Sequence, residues 1–465
     1  MVTTVLEFLP GFVSTILAGN MDSPYAQHDV DAATVSIMVR SFTRLPTIVV
    51  NWPNCVAGHP CVQLMNISAL SIGLGLASAL DTLCSQAYGA KRFEKIGIYF
   101  QTGILVLTTV LVPMLVINSF AEPILLFLGQ DEEVSRLARD FSRLMLPSLP
   151  FLFLYELVRK VLQAQNILKP LVMIAVAGNV VNAVTGYLLA FHTSIGFNGI
   201  AIARSLGNVT LPLLLVPYFY WHPEHLRQWW CRGWDFKDAL TYVGLFLRLG
   251  FPGMLMMAVE MWAFEILSIL AGLLPDSVVA LAIHATLMNV IMLVWTIWLG
   301  FSVAANIRVG NCLGANMPKK AKLACQLSLA MTFSLSLVIV AFLYGFSGRI
   351  PRLFLDDDDN VALASHVMAV WSPFEVADAI NAVVQGVFRG AGRQKPAAIT
   401  NVVAYYVGGI PLGVLLGFQF DLGVKGLWLG VGSGMVATVS VLLSLMLHYW
   451  KWDKLADDAQ RRTAQ

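Results

Sequence analysis

The sequence predicts an all-α fold: a polytopic membrane protein of twelve transmembrane helices, built as two six-helix lobes related by pseudo-two-fold symmetry. Three observations carry this expectation. Only 12% of the 465 residues are charged while 57% are hydrophobic, and the mean hydropathy is +0.71; a soluble domain carries about 25% charged residues. The apolar residues form continuous runs near the ~20 residues that cross a bilayer, not the short alternating segments of a transmembrane barrel. The second half of the chain also repeats the first.

In chain order the apolar runs fall at roughly 3–20, 96–120, 142–163, 168–191, 198–221, 249–272, 278–305, 323–346, 363–388, 397–418 and 426–449, and a further span ends near Gln86. The run at 3–20 ends in LAG like a signal peptide but has no basic segment before it, so it reads as an uncleaved first span. Alternate loops are basic: Lys91, Arg92 and Lys95; then Arg159, Lys160 and Lys169; then Arg227, Arg232 and Lys237. Lys319, Lys320 and Lys322 follow, then Arg389, Arg393 and Lys395, then Lys451, Lys454, Arg461 and Arg462. The intervening loops are acidic or mixed, as at Asp131-Glu132-Glu133 and Asp356–Asp359. Basic loops stay on the cytoplasmic side, which puts both termini there. The net charge of +2 offers no nucleic-acid surface, and the six cysteines are too scattered for a zinc or disulfide pattern.

The repeat has a nearly constant offset. GLASALDTLCSQAYGA (Gly75–Ala90) aligns with GFSVAANIRVGNCLGA (Gly300–Ala315) at 225 residues, and LFLGQDEEV (Leu126–Val134) with LFLDDDDNV (Leu353–Val361) at 227. Pro147 matches Pro373, and Lys169-Pro170 matches Lys395-Pro396, both at 226. GFNG (Gly196–Gly199) matches GVKG (Gly423–Gly426) at 227. Six spans per half is an even number, so the halves share orientation, and carriers of this design bind substrate near the midplane between them. The expected organisation is an N-terminal lobe at 1–222, a linker at 223–245, a C-terminal lobe at 246–450 and a tail at 451–465. One pairing breaks the offset: Glu7–Gly19 matches Glu260–Gly272 at 253. The surplus falls at 39–64, where Arg40, Arg44, three prolines and His59 cannot continue a membrane helix. That segment reads as an insertion within the second span, from a mis-assembled reading frame such as a translated intron; a genuine extramembrane loop is the other reading.

The run Phe251–Gly272 holds two acids, Glu260 near its middle and Glu265. An ionised carboxylate at the centre of a membrane helix costs at least about 2.5–3.5 kcal/mol, so such groups mark working sites. Five residues turn a helix through about 140°, so the two acids do not share a face, and Glu265 takes a supporting role. Asp378 is a third acid within a span, with Glu375 a turn before it, and Glu7 occupies the repeat position of Glu260. Trp262, Phe264, Trp295, Trp298 and Tyr405 offer faces to an organic cation. Asp81, and Glu156 with Arg159 and Lys160, lie toward the basic end, where structural pairing is expected. Asp356–Asp359 reads as a solvated loop. No P-loop, HExxH or GxSxG motif is present, so neither ATP drive nor hydrolysis is supported, and no cofactor or metal is expected.

ALDTLCSQAYGA (Ala79–Ala90), LGQDEEVSRLA (Leu128–Ala138) and VLQAQNILKP (Val161–Pro170), with Gly300–Ala315, GVFRGAGRQKPAAITNVVAYYVGGIPLG (Gly386–Gly413) and LGVKGLWLG (Leu422–Gly430), resemble the multidrug and toxic compound extrusion (MATE) family of eukaryotic type. The resemblance covers nearly the whole chain except 39–64. It implies alternating access about a central cavity and export of organic cations in exchange for protons, with sodium the alternative coupling ion. It implies Glu260 as the cation and proton site, with Glu265, Asp378, Tyr405 and Tyr406 beside it. Asn66 stands where the second helix carries a polar residue, and Asn289 where animal members have a further glutamate. The expected protein is a monomer in the plasma membrane or an endomembrane. Two other readings stand: a carrier of a flavonoid-like metabolite or organic acid, or a product inactivated by the insertion.

Overall fold

The apolar runs wind into helices because a backbone in hydrocarbon must satisfy its own hydrogen bonds. The computed structural model describes residues 71–127, 132–195, 197–355 and 357–464. The expected first span with Glu7, the segment 39–64 and Asn66 lie outside the described residues. Among those described, nine helices are long and apolar enough to cross a membrane, or ten if a bent pair is one span.

In the first half, α1 (Ser71–Ala77) and α2 (Ala79–Gly89) complete the span that ends near Gln86. Next come α3 (Phe93–Ser119), the short α4 (Ala121–Phe127), α5 (Glu132–Met145) and α6 (Leu149–Ala164). The half closes with α7 (Lys169–Phe191) and α8 (Phe197–Trp221). Two short helices, α9 (Pro223–Arg227) and α10 (Phe236–Thr241), lead into the second half. There α11 (Val243–Gly272), α12 (Ser277–Gly314) and α13 (Pro318–Gly345) precede α14 (Asp358–Trp371) and α15 (Phe374–Ala391). α16 (Gln394–Val402) and α17 (Ile410–Val414) share one span with π turns at Val403–Gly409 and Leu415–Gln419. α18 (Gly423–Ser444) and α19 (Trp452–Ala464) end the chain. The run expected at 363–388 is not one straight helix: α14 and α15 meet at 52°, at the break before Pro373 and Phe374.

One packed interior runs from Leu76 to Leu249, two others are built from Ala263 and Met256 onward, and Val290, Leu343 and Met368 form a small fourth. The repeat seen in the sequence reappears in the turns. Lys91 and Asn316 share a positive φ of 58° and 54°, and Asn166 and Gly392 one of 60° and 69°. Each pair sits at equivalent repeat positions after a helix end. Gly392 has no Cβ, and one there would meet the Arg462 guanidinium.

Where α2 crosses α12 the contact is reciprocal. A Cβ on Gly89 would strike the Asn311 carbonyl, and one on Gly314 would strike the Gln86 carbonyl. Gly89 and Gly314 are repeat equivalents, as are Gln86 and Asn311. Ser85 meets Gly310, its own equivalent, so that pair sits on the pseudo-two-fold axis. Side chains obey the same symmetry. Gln86 donates to the Gly390 carbonyl at 2.9 Å, and Asn311 donates to the equivalent Ala164 carbonyl at 3.3 Å. This is the self-complementary pattern of a two-fold interface, made within one chain. Membrane helices associate through such close backbone approach, since lipid removes any hydrophobic drive between them.

All of this lies at the basic end of the bundle, and other segments reinforce it. Thr82 donates to the Arg389 carbonyl at 2.5 Å and accepts from Gln394 at 2.7 Å. The C-terminal segment is no loose tail: α19 buries Leu455, Ala456, Ala459 and Thr463. It accepts from Arg92 at the Thr463 carbonyl (2.6 Å) and from Tyr99 at the Arg462 carbonyl (3.3 Å), and Gln460 donates to the Gly314 carbonyl. The linker is docked too: Gln101 of α3 donates to the Gly233 carbonyl at 2.8 Å and accepts from the Asp235 amide at 2.7 Å.

Gly314→Leu is expected to lower stability by about 1–3 kcal/mol through overpacking against backbone that cannot yield. Gly244→Ala, where a Cβ meets nothing within 4 Å, is expected to leave it unchanged or slightly raised. Thermal melting of the detergent-purified protein checks both.

Candidate functional site

Along α15 an apolar helix is interrupted by Glu375, Asp378, Asn381, Gln385 and Arg389. Their spacing of three or four residues places them on one face. The stripe runs from the bend below Pro373 to the basic end, and its amides at Asn381 and Gln385 reach Glu260 of α11.

Glu260, partly buried near the middle of α11, is where the elements converge. Asn381 donates to its Oε1 at 3.3 Å and Gln385 to its Oε2 at 3.1 Å. The Tyr405 hydroxyl donates to Oε1 at 3.5 Å. Tyr405 sits on the π turn Val403–Gly409 and is wholly buried; π turns often accompany functional sites because the wider turn re-aims side chains. Its neighbour Tyr406 donates to the Val259 carbonyl at 3.3 Å, and Asn401 to the Met256 carbonyl at 3.4 Å, so this span is tied to α11 in the turn just before Glu260. All three donors to Glu260 are neutral. Arg389, the cation of the stripe, donates to Ser302 at 2.9 Å instead.

Glu375 and Asp378 are 0% and 3% exposed. Glu375 is held by two indoles: Trp298 of α12 donates to Oε2 at 3.3 Å, and Trp371 of α14 donates to Oε1 at 3.1 Å. Asp378, one turn on, has an Oδ2 with no hydrogen-bond partner among the described residues. It stands on the same face of α15, between Glu375 and the amides that hold Glu260. An unsatisfied buried acceptor costs about 1–3 kcal/mol, more when charged.

The structure thus brings together Glu260, Asp378 and Tyr405 of the expected residues and adds Asn381 and Gln385. The latter two were visible as polar interruptions of an apolar helix, but amides are easily passed over beside acids. Trp262 is exposed, and it lies two residues, or about 200°, round α11 from Glu260. Glu265 is partly buried, and no described residue hydrogen-bonds it. Asn289 is buried and turns its amide onto the Ala285 carbonyl of its own helix, 2.8 Å away. Trp298 offers Glu375 its ring nitrogen and has no exposed face. Phe264 packs toward Trp428, 6.1 Å between centroids. The charges nearer the basic end are closed pairs: Lys160 with Asp81 at 2.9 Å, and Arg159 with Glu156 at 2.7 Å, all nearly buried.

The sequence profile of the MatE family matches residues 53–188 and 252–415. Multidrug and toxin extrusion protein 1 of Mus musculus is 33% identical over 456 residues, which is 98% of this chain and 74% of that protein. Multidrug and toxin extrusion protein 2 of the same species is 35% identical over 404 residues, 86% of this chain and 69% of its own length. The crystal structure of the eukaryotic MATE transporter AtDTX14 superposes with a TM-score of 0.83 at 28% identity, covering 99% of both chains.

Trp371→Phe leaves Oε1 of Glu375 without its donor and is expected to cost about 1–3 kcal/mol. The same substitution in a Glu375→Leu background is expected to cost clearly less, because the shared interaction is already gone. A double-mutant cycle by thermal melting measures the difference.

Proposed function

Because this chain belongs to the MatE family of multi-pass membrane transporters, we propose that it is a secondary active antiporter. It exports organic cations in exchange for protons by alternating access. The observation that carries this reading is the coordination of Glu260: a carboxylate mid-depth in an apolar helix, hydrogen-bonded among the described residues by three neutral donors and by no cation. Neutral donors orient the carboxylate without cancelling its charge. An ionised carboxylate in such a setting needs a counter-charge or a proton. Proton and organic cation therefore exclude each other at Glu260, which is the least an antiporter requires.

Asp378 extends the site. Three neighbouring carboxylates repel when all are ionised, so Glu260, Asp378 and Glu375 act as a proton-sharing group that a cationic substrate can discharge. Glu375, gripped by Trp298 and Trp371, anchors the far end of that group. Tyr405 presents its hydroxyl, with Asn381 and Gln385 completing the polar wall. Glu265, Asn289 and Trp262 serve as outer contacts along the substrate route, and Asn66 is added to them on the resemblance of its sequence position alone.

The conformational reading uses the basic end as the cytoplasmic side. The α2–α12 contact and α19 close the bundle there, which corresponds to the state facing away from the cytoplasm. Return to the cytoplasm-facing state parts the halves at Gly89, Gly314 and the Gln86 and Asn311 amides. The moving units are the lobes 1–222 and 246–450, linked by 223–245, and a single chain suffices for the cycle.

In proteoliposomes, transport of tetraethylammonium is expected to follow an imposed proton gradient and to be unaffected by a sodium gradient. Glu260→Gln is expected to abolish the gradient-driven component, a loss of at least about tenfold. Glu265→Gln is expected to lower the rate less. Coupling that survives in Glu260→Gln at the wild-type rate would refute the mechanism.

A further inference from the structure

We infer that the junction between α8 and α9 is a binding site for a divalent transition metal ion of the zinc class, held by His222, Glu224 and His225. The transport chemistry above uses none of these residues. They come from the run His222-Pro223-Glu224-His225, three donor side chains within four residues. α8 ends at Trp221, and Pro223 opens α9, leaving His222 at the corner with φ −125° and ψ 63°. Proline suits the first helical position because its missing N–H would be unpaired there. The corner turns the end of one helix and the first turn of the next toward one point.

One donor atom from each of the three residues lies within 4.8 Å of the others. His222 Nδ1 and Glu224 Oε1 are 3.2 Å apart. Tetrahedral zinc with bonds of about 2.0–2.2 Å sets its ligand atoms about 3.3 Å from one another. The His222–Glu224 pair already has that spacing, and the third ligand closes the rest by side-chain rotation. The side chains of His222 and Glu224 are 52% and 62% exposed, so they are free to make that adjustment. Two histidines and one carboxylate with a remaining open position are a recurrent donor set for zinc.

The rings are also prearranged. The Tyr218 hydroxyl, two helical turns before His225, lies 2.5 Å from His225 Nδ1. A metal-binding imidazole is commonly held in this way through the nitrogen that does not face the metal, here leaving Nε2 for the ion. The His222 and His225 rings are neighbours, with centroids 5.6 Å apart. A solvated His222–Glu224 hydrogen bond explains one contact of the cluster. It does not explain why His225 is fixed by Tyr218 beside the same point. A bound ion would cross-link the end of α8 to the first turn of the segment joining the two halves.

The test uses the full chain purified in detergent, stripped with a chelator and titrated with zinc chloride by calorimetry. One saturable site of micromolar or tighter affinity is expected, weakened at least about tenfold by His222→Ala with His225→Ala. Cys231, the exposed thiol nearest in sequence, is controlled by Cys231→Ser, which is expected to keep the site. Melting temperature and tetraethylammonium transport of each variant report that it is folded. Absence of saturable binding by the wild-type chain overturns the assignment. So does binding that the folded double variant retains, or that Cys231→Ser alone removes.

Discussion

Where α2 crosses α12 the two backbones touch, because Gly89 and Gly314 carry no side chains and each lies against a carbonyl of the other helix. The pairing is between repeat equivalents, with Ser85 and Gly310 on the axis. Gln86 and Asn311 then reach across to Gly390 and Ala164 at the ends of α15 and α6. Every helix that shapes the candidate site is packed on this crossing or one step removed from it. A contact made of backbone and short amides is also suited to being broken and remade. Its hydrogen bonds are to carbonyls that water can serve instead.

The halves share a fold but have parted in chemistry. At the position of Gln385 the first half has Arg159, and that arginine is closed onto Glu156. At the positions of Asp378 and Glu375 it has Leu152 and Leu149. Among the described residues the first half thus holds four of its buried charges in ion pairs, Arg159–Glu156 and Lys160–Asp81. Breaking such a pair by removing one partner costs about 3–5 kcal/mol, which makes them part of the frame. The second half keeps its acids in the company of neutral donors. Its surplus negative charge faces α11 near mid-depth, the feature that suits a site waiting for a cation or a proton.

Rigidity and adaptability are divided along the polar stripe of α15. At one end Glu375 ties three helices together through the indoles of Trp298 and Trp371. At the other, Arg389 is engaged by Ser302, and its carbonyl by Thr82 of the first half. Between these anchors, Asp378 keeps an oxygen without a partner among the described residues. Glu260 is held at 3.1–3.5 Å, long for charged hydrogen bonds. The middle of the stripe is accordingly where exchange of a ligand disturbs the fold least.

Most of the architecture was legible in the chain. Hydropathy located every apolar span among the described residues, and the offset of about 226 residues related the halves. Both are one-dimensional signals: a bilayer imposes a length on each helix, and a repeat leaves a constant spacing. Glu260 and Asp378 were also legible, because charge inside a span is costly enough to need a reason. Neither length nor spacing could say which side chains meet. The donors to Glu260 come from α15 and from the π turn 121 to 145 residues away, and amides cost too little in a helix to stand out. Trp298 reads as a substrate aromatic until the bend at Pro373 turns Glu375 onto its ring nitrogen. The reciprocity of Gly89 and Gly314 was hidden in an alignment that showed them as equivalents but not as neighbours. Sequence periodicity fixes which face of a helix a residue occupies; packing alone sets which face of another helix lies opposite.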